Sequence, residues 1–189
     1  MENIGLFGGT FDPIHIGHLK IAEQFVQLCD LDVCYFIPTK KSPFKIDKKD
    51  MFSDFERCKK IEDAIYNSDG NSDKFSNDKF KLSDYELKKD GISYTIHTVE
   101  HFAELYHSKN LYLLIGSDQA IRFHLWKDYQ RILEFVTVVV AMRPEGISEA
   151  EIALIKNNIT QDKLLWLNNS IINITSSEIR KQINNLKNE

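Results

Sequence analysis

The chain has 189 residues, a length at which one α/β domain buries about 70% of the surface its unfolded form exposes. Apolar content of 42% and charged content of 28% suit a soluble globular chain, and a formal net charge of -4 argues against bulk nucleic-acid binding. Cys29, Cys34 and Cys58 form no metal or redox spacing, no secretory signal is visible, and the longest apolar run, Phe135–Met142, is far below the ~20 residues that span a bilayer. These features predict a single domain over residues 1–189, in the cytoplasm, with no membrane or nucleic-acid partner, as a monomer or weak homo-oligomer.

The first predicted element is Ile4-Gly5-Leu6-Phe7, a short apolar strand that stops at Gly8-Gly9. Glycines there let the backbone turn sharply or let a ligand approach. The amides of Gly8, Gly9, Thr10 and Phe11 can then face an anion. From Gly17 the residues Leu19, Ile21, Ala22, Phe25, Val26 and Leu28 suit one helix face. A helix N-terminus favours phosphate. His15 and His18, three apart, share one face if both lie in its first turn, and imidazoles there can donate to phosphoryl oxygens. The spacing is neither G-x-G-x-x-G nor a Walker A loop, and no further metal ligand stands nearby with suitable spacing.

Asp32–Pro38 reads as a strand stopped by proline, so the chain opens with a βαβ unit and a parallel sheet. Thr39–Lys45 follows at the strand's carboxyl end, where such sheets bind ligands, and holds Lys40, Lys41 and Lys45. A helix is predicted over Asp50–Tyr66 from Phe52, Phe55, Cys58, Ile61, Ala64 and Ile65, with Ser53 or Asp54 helping its start. Asn67–Asp78 reads as a surface loop, and Phe80–Leu87 alternates towards a strand. Ser93 or Thr95 is a plausible cap for a helix through Val99, Phe102, Leu105 and Tyr106.

Leu111–Ile115 reads as a central buried strand ending at Gly116-Ser117-Asp118. A carboxylate so placed caps a helix or binds ribose hydroxyls. Val136–Ala141 is a second buried strand and leads to Arg143-Pro144. A helix around Glu149–Lys156 and a strand at Leu164–Leu167 follow. Ile171–Ile174 then runs as a strand into Thr175-Ser176-Ser177-Glu178-Ile179-Arg180. Amides and hydroxyls at that helix start form a second possible phosphate site, with Arg180 one turn in.

The opening GGTFDPIHIGHL resembles the T/HxGH signature of the nucleotidyltransferase superfamily, and in its longer form the start of bacterial nicotinate-nucleotide adenylyltransferases. Asp84-Tyr85-Glu86 with Ser93-Tyr94-Thr95, Ile115-Gly116 with Asp118, Phe123 with Trp126 and Tyr129, Arg143-Pro144, and Thr175 to Arg180 are similar to that family's later blocks, in order. Pro43-Phe44-Lys45 departs from it, with Phe44 where the family carries histidine.

The resemblance implies an α/β fold, a Rossmann-like three-layer α/β/α sandwich with a mostly parallel sheet. It implies adenylyl transfer from ATP, with Mg2+, to nicotinate mononucleotide. His15, His18, Lys45 and Arg180 would be catalytic. Gly8, Gly9, Thr10, Phe11, Gly116, Asp118, Arg143, Thr175, Ser176 and Ser177 would bind ATP. Asp84, Ser93, Tyr94, Thr95 and Trp126 would bind the mononucleotide, Trp126 by stacking on the pyridine ring. Nicotinamide mononucleotide or phosphopantetheine as acceptor, or a non-catalytic nucleotide-binding module, are the alternatives. A synthetase-like domain is disfavoured by the acidic charge and the missing KMSKS-like loop.

Overall fold

Seven helices and six strands alternate along the described residues of the computed structural model, which are 2–44, 51–66, 78–107, 110–142, 146–168 and 175–187. They are β1 (Asn3–Gly9), α1 (Ile16–Leu28), β2 (Val33–Pro38), α2 (Asp54–Tyr66), β3 (Phe80–Leu82), α3 (Thr95–Tyr106), β4 (Asn110–Gly116), α4 (Ser117–Ala120), α5 (Tyr129–Phe135), β5 (Val136–Ala141), α6 (Glu149–Asn158), β6 (Leu164–Leu167) and α7 (Ser176–Lys187). Lys45, Arg143 and the predicted strand Ile171–Ile174 lie outside the described residues, as does the predicted loop from Asn67 up to residue 77.

The strand order is β3-β2-β1-β4-β5-β6, and every pairing is parallel. The chain starts in the middle, moves outward to β3, then crosses back to β4 and moves outward the other way. The order therefore reverses between β1 and β4. Open α/β sheets bind ligands at such a reversal, outside the carboxyl ends of the strands. Register brings those ends level, with Gly9 beside Pro38 and Gly116 beside Ala141.

Successive strand residues face opposite sides of the sheet. Ile4 and Leu6 of β1, with Leu111, Leu113, Val136, Val138 and Val140, pack against α3, α5 and α6. Phe7, Leu114, Cys34, Phe36 and Val139 pack against α1 and α2. That alternation produces the three layers. The strands are apolar on both faces because both faces are covered.

Three predicted elements differ from what forms. The helix predicted over Asp50–Tyr66 begins later, at Asp54, with Ser53, one of the two residues expected to help its start, in the capping position. The Glu56 carboxylate accepts from the Ser53 amide at 2.8 Å, and the Ser53 hydroxyl accepts from the Glu56 amide at 3.3 Å. Its buried face is Arg57, Ile61 and Ile65, while Phe55 is 76% exposed. The strand predicted over Phe80–Leu87 stops at Leu82, since the chain then closes turns in which the Asp84 and Glu86 carbonyls accept from the Lys88 and Lys89 amides. The cap of α3 is Tyr94 rather than Ser93 or Thr95, because the Ser93 hydroxyl is engaged with the amide of Lys40.

Gly5 shows how tightly α1 seats on the sheet. A Cβ at this position would lie 2.4 Å from Leu31 Cδ1 and 2.8 Å from Phe25 Cε1. Gly5→Val should therefore overpack the core and cost about 1–3 kcal/mol, read as a lower urea midpoint. An unchanged midpoint would mean that this interface is loose.

Candidate active site

Between β1 and α1 the chain runs through Thr10-Phe11-Asp12-Pro13-Ile14-His15. Phe11 adopts a left-handed backbone, with φ of 47°. Side chains other than glycine rarely do so, and the conformation persists only where packing holds it. Here the Phe11 ring is 2% exposed, edge-on to Phe7 with centroids 5.3 Å apart, and 5.1 Å from the His18 ring. The ring anchors the turn, so the part of Phe11 suited to a ligand is its backbone.

His15 is the N-cap of α1 and His18 the third helical residue, which brings their rings to 3.8 Å between centroids. The His15 amide donates to His18 Nδ1 at 3.2 Å. An accepting Nδ1 places the proton of the neutral imidazole on Nε2, making that nitrogen a donor. The loop's far wall is α7. Ser176 donates to the Pro13 carbonyl at 3.0 Å. Arg180 donates to the Asp12 carbonyl at 2.5 Å and to the Ser177 hydroxyl at 2.9 Å. Thr175 caps α7 reciprocally with Glu178. The two helix starts predicted from opposite ends of the sequence thus meet, and Arg180 itself braces the first of them.

Two residues with no assigned role in the sequence hold this loop from below. Asp12 is 4% exposed, and its carboxylate accepts from the amides of Met51 at 3.0 Å and Phe52 at 2.9 Å. Arg57 is fully buried and donates to the Thr10 carbonyl at 2.7 Å and to Asp54 at 2.7 Å. Asp54 also accepts from Lys40 Nζ at 2.9 Å. Burial opposes ionisation of Asp54, but the bonds and charges of Lys40 and Arg57 outweigh it and hold its carboxyl below the usual range. The signal for Asp12 was its place inside the motif. Arg57 carried none, since an arginine among apolar residues reads as a solvated helix face.

The segment after β2 joins this loop to the Ser93 turn. The Thr39 amide donates to the Gly9 carbonyl at 2.9 Å. The Ser93 amide donates to the Lys41 carbonyl at 2.9 Å, and the Lys40 amide to the Ser93 hydroxyl at 3.1 Å. Thr95 starts α3, and Lys127 lies over the Tyr94 ring at 4.7 Å. Trp126, next in line, packs partly buried against Phe123, with centroids 5.3 Å apart. Its buried indole N–H has no acceptor among the described residues. Gly116 ends β4, and Asp118 is exposed just beyond it. Asp84 forms an ion pair with Lys88 at 2.9 Å, and Phe44 is 45% exposed.

Behind the Ser93 turn stands Glu86, 9% exposed, which accepts from the Thr98 hydroxyl of α3 at 2.7 Å. Burial pushes its carboxyl up, and the hydroxyls of Thr98, Ser93 and Thr39 offset part of the rise. A carboxyl raised in the folded state favours folding below its unfolded value, and that benefit is lost as pH climbs through the folded value. Glu86→Gln should therefore gain melting temperature relative to the parent chain as pH rises from about 4 to about 8. Parallel stability curves would contradict a strained buried charge at this position.

The cytidylyltransferase-like family profile matches residues 6–182. A probable nicotinate-nucleotide adenylyltransferase of Clostridium novyi is 36% identical over 192 aligned positions, covering 100% of this chain and 90% of that protein. One of Oceanobacillus iheyensis is 39% identical, covering 76% of this chain and 70% of its own. Among solved structures, the Plasmodium falciparum nicotinic acid mononucleotide adenylyltransferase complexed with NaAD superposes with a TM-score of 0.73 at 22% identity, covering 100% of this chain and 90% of that one. That likeness establishes the Rossmann-like fold, and the relatives establish the lineage. The chain belongs to the nicotinate-nucleotide adenylyltransferase family of nucleotidyltransferases.

Proposed function

We propose that this chain transfers the adenylyl group of ATP to nicotinate mononucleotide, as a step of NAD biosynthesis in the cytoplasm, and works as one domain, monomeric or weakly self-associating. The observation that carries the reading is the meeting of three segments at one sheet edge. These are the loop after β1, the start of α7 bonded to it through Ser176 and Arg180, and the Ser93 turn tied to it through residues 39–41. A site that must align two anionic substrates needs this layout, with one anion cradle and a second pocket beside it.

In the reaction, a phosphate oxygen of the mononucleotide attacks the α-phosphorus of ATP in line. A phosphorus–oxygen bond forms there, and the bond to the bridging α,β-oxygen breaks, releasing pyrophosphate. The attacking phosphate is already ionised, so no general base is required. Catalysis is positioning and charge stabilisation. In this account the Nε2 donor of His18, with His15, meets the phosphates near the reacting centre. The amides of Gly8, Gly9, Thr10 and Phe11 line the cradle. Lys45, Arg143, Arg180, Thr175, Ser176 and Ser177 serve the outer phosphates. Asp118, reached from Gly116, takes the ribose.

Ser93, Tyr94, Thr95 and Trp126 serve the nicotinate end. Asp84, whose carboxylate forms a surface ion pair with Lys88 at 2.9 Å, serves the same end in this account. Magnesium enters as Mg-ATP. Among the described residues no group of three or more His, Cys, Asp or Glu is placed to hold a metal, and the carboxylate of Asp12 within the loop is engaged with backbone amides. No helix among the described residues is long and apolar enough to cross a membrane.

Pyrophosphate release with Mg-ATP, run in parallel with nicotinate mononucleotide, nicotinamide mononucleotide and phosphopantetheine, tests the assignment. The expected result is strong preference for the nicotinate compound, with His18→Ala lowering the rate about 10²-fold or more. Preference for another acceptor would overturn the substrate, and a near-normal rate in His18→Ala would remove that residue's role.

A further inference from the structure

We infer that Arg57 is a positioning residue for the phosphate cradle: by holding the Thr10 carbonyl, it turns the next amide, that of Phe11, towards ATP. The inference rests on the reading of the loop as the ATP site. In a trans peptide the carbonyl and the following N–H point in opposite directions. Arg57 Nη1 draws the Thr10 carbonyl into the protein at 2.7 Å. The Phe11 N–H is thereby aimed the other way, out of that contact.

The rest of the turn supports the same division. The Phe11 ring is buried against Phe7 and Phe36, with its backbone at a φ of 47°. Asp12, one residue on, is fixed by the Met51 and Phe52 amides at the entrance to α2. Both grips come from the same region, so α2 acts as the bed on which the cradle is laid.

Packing alone does not explain an arginine here. The side chain is fully buried, and an apolar residue would fill the space without desolvating a charge. What an apolar residue lacks is the two-armed donor. One arm holds Thr10 while the other is steadied by Asp54 at 2.7 Å, which is in turn held by Lys40. Lysine keeps the charge but cannot bridge both acceptors with a planar fork.

The test is equilibrium binding of Mg-ATP by titration calorimetry, with steady-state kinetics beside it, on the parent chain, Arg57→Lys and Asp54→Asn. Arg57→Lys should weaken Mg-ATP about tenfold and lower kcat, while the KM for nicotinate mononucleotide stays within about twofold. Asp54→Asn should weaken Mg-ATP in the same direction by a smaller factor. Because Asp54 is partly exposed, this variant stands in if Arg57→Lys does not fold.

A folded Arg57→Lys that binds Mg-ATP as the parent does would overturn the inference, as would equal losses for both substrates. Should Arg57→Lys not fold, parent-like binding in Asp54→Asn would overturn it. If the parent binds Mg-ATP but releases no pyrophosphate with any acceptor, the proposed reaction fails while the binding comparison still decides the role of Arg57. If the parent binds no Mg-ATP, both fail.

Discussion

The grip of α2 on the loop after β1 is the constraint on which the rest of the site depends. That loop must present amides to solvent in a conformation that ordinary side chains avoid, and glycines alone would leave it without a fixed shape. Two buried charges supply the shape. Arg57 holds the carbonyl before Phe11, and Asp12 holds two amides at the entrance to α2. Each is costly to bury, and each is engaged with backbone groups of the loop or of the α2 entrance, Arg57 also with Asp54. The wall across the loop follows from the same atoms, since Arg180 of α7 docks on the carbonyl of Asp12.

The sheet explains why these parts meet. With all strands parallel, every strand ends on the same edge, and the carboxyl ends of β2, β1, β4 and β5 stand side by side. The hydrogen bonds between Gly9, Thr39, Lys40, Lys41 and Ser93 turn that neighbourhood into a continuous frame. The segment over β2 is therefore the mechanical link between the anion cradle and the turn assigned to nicotinate. That link is made of two backbone bonds, Thr39 to Gly9 and Ser93 to Lys41, and one from the Lys40 amide to the short Ser93 side chain.

The fold was legible because its signals are local. Apolar runs at Ile4–Phe7, Leu111–Ile115 and Val136–Ala141 name the central strands, and Leu164–Leu167 forms over the residues predicted. The start of α7 was legible from its hydroxyl-rich cap at Thr175, whereas the start of α1 was read from the apolar face that begins at Gly17, and the N-cap place of His15 is visible only in the structure. What failed depended on distant partners. The predicted helix ran too far ahead of Ser53, its expected cap, because the amides of Met51 and Phe52 belong to Asp12, forty residues away at most. The buried face of α2 was misread because Phe55 was counted on the apolar face, and Arg57, which carries that face's charge, was not considered. Glu86 was visible as part of a motif, yet its place behind the Ser93 turn depends on Thr98, one helix later.

The central claim is that the loop from Gly8 to His18 receives the triphosphate. A crystal structure with magnesium and a non-hydrolysable ATP analogue tests it most directly. The account predicts phosphate oxygens within hydrogen-bond reach of the Phe11 amide and His18 Nε2, with the bonds of Arg57 to Thr10 and of Asp12 to residues 51 and 52 unchanged. A triphosphate seated elsewhere on the sheet edge, or one that displaces Arg57 from Thr10, would contradict it.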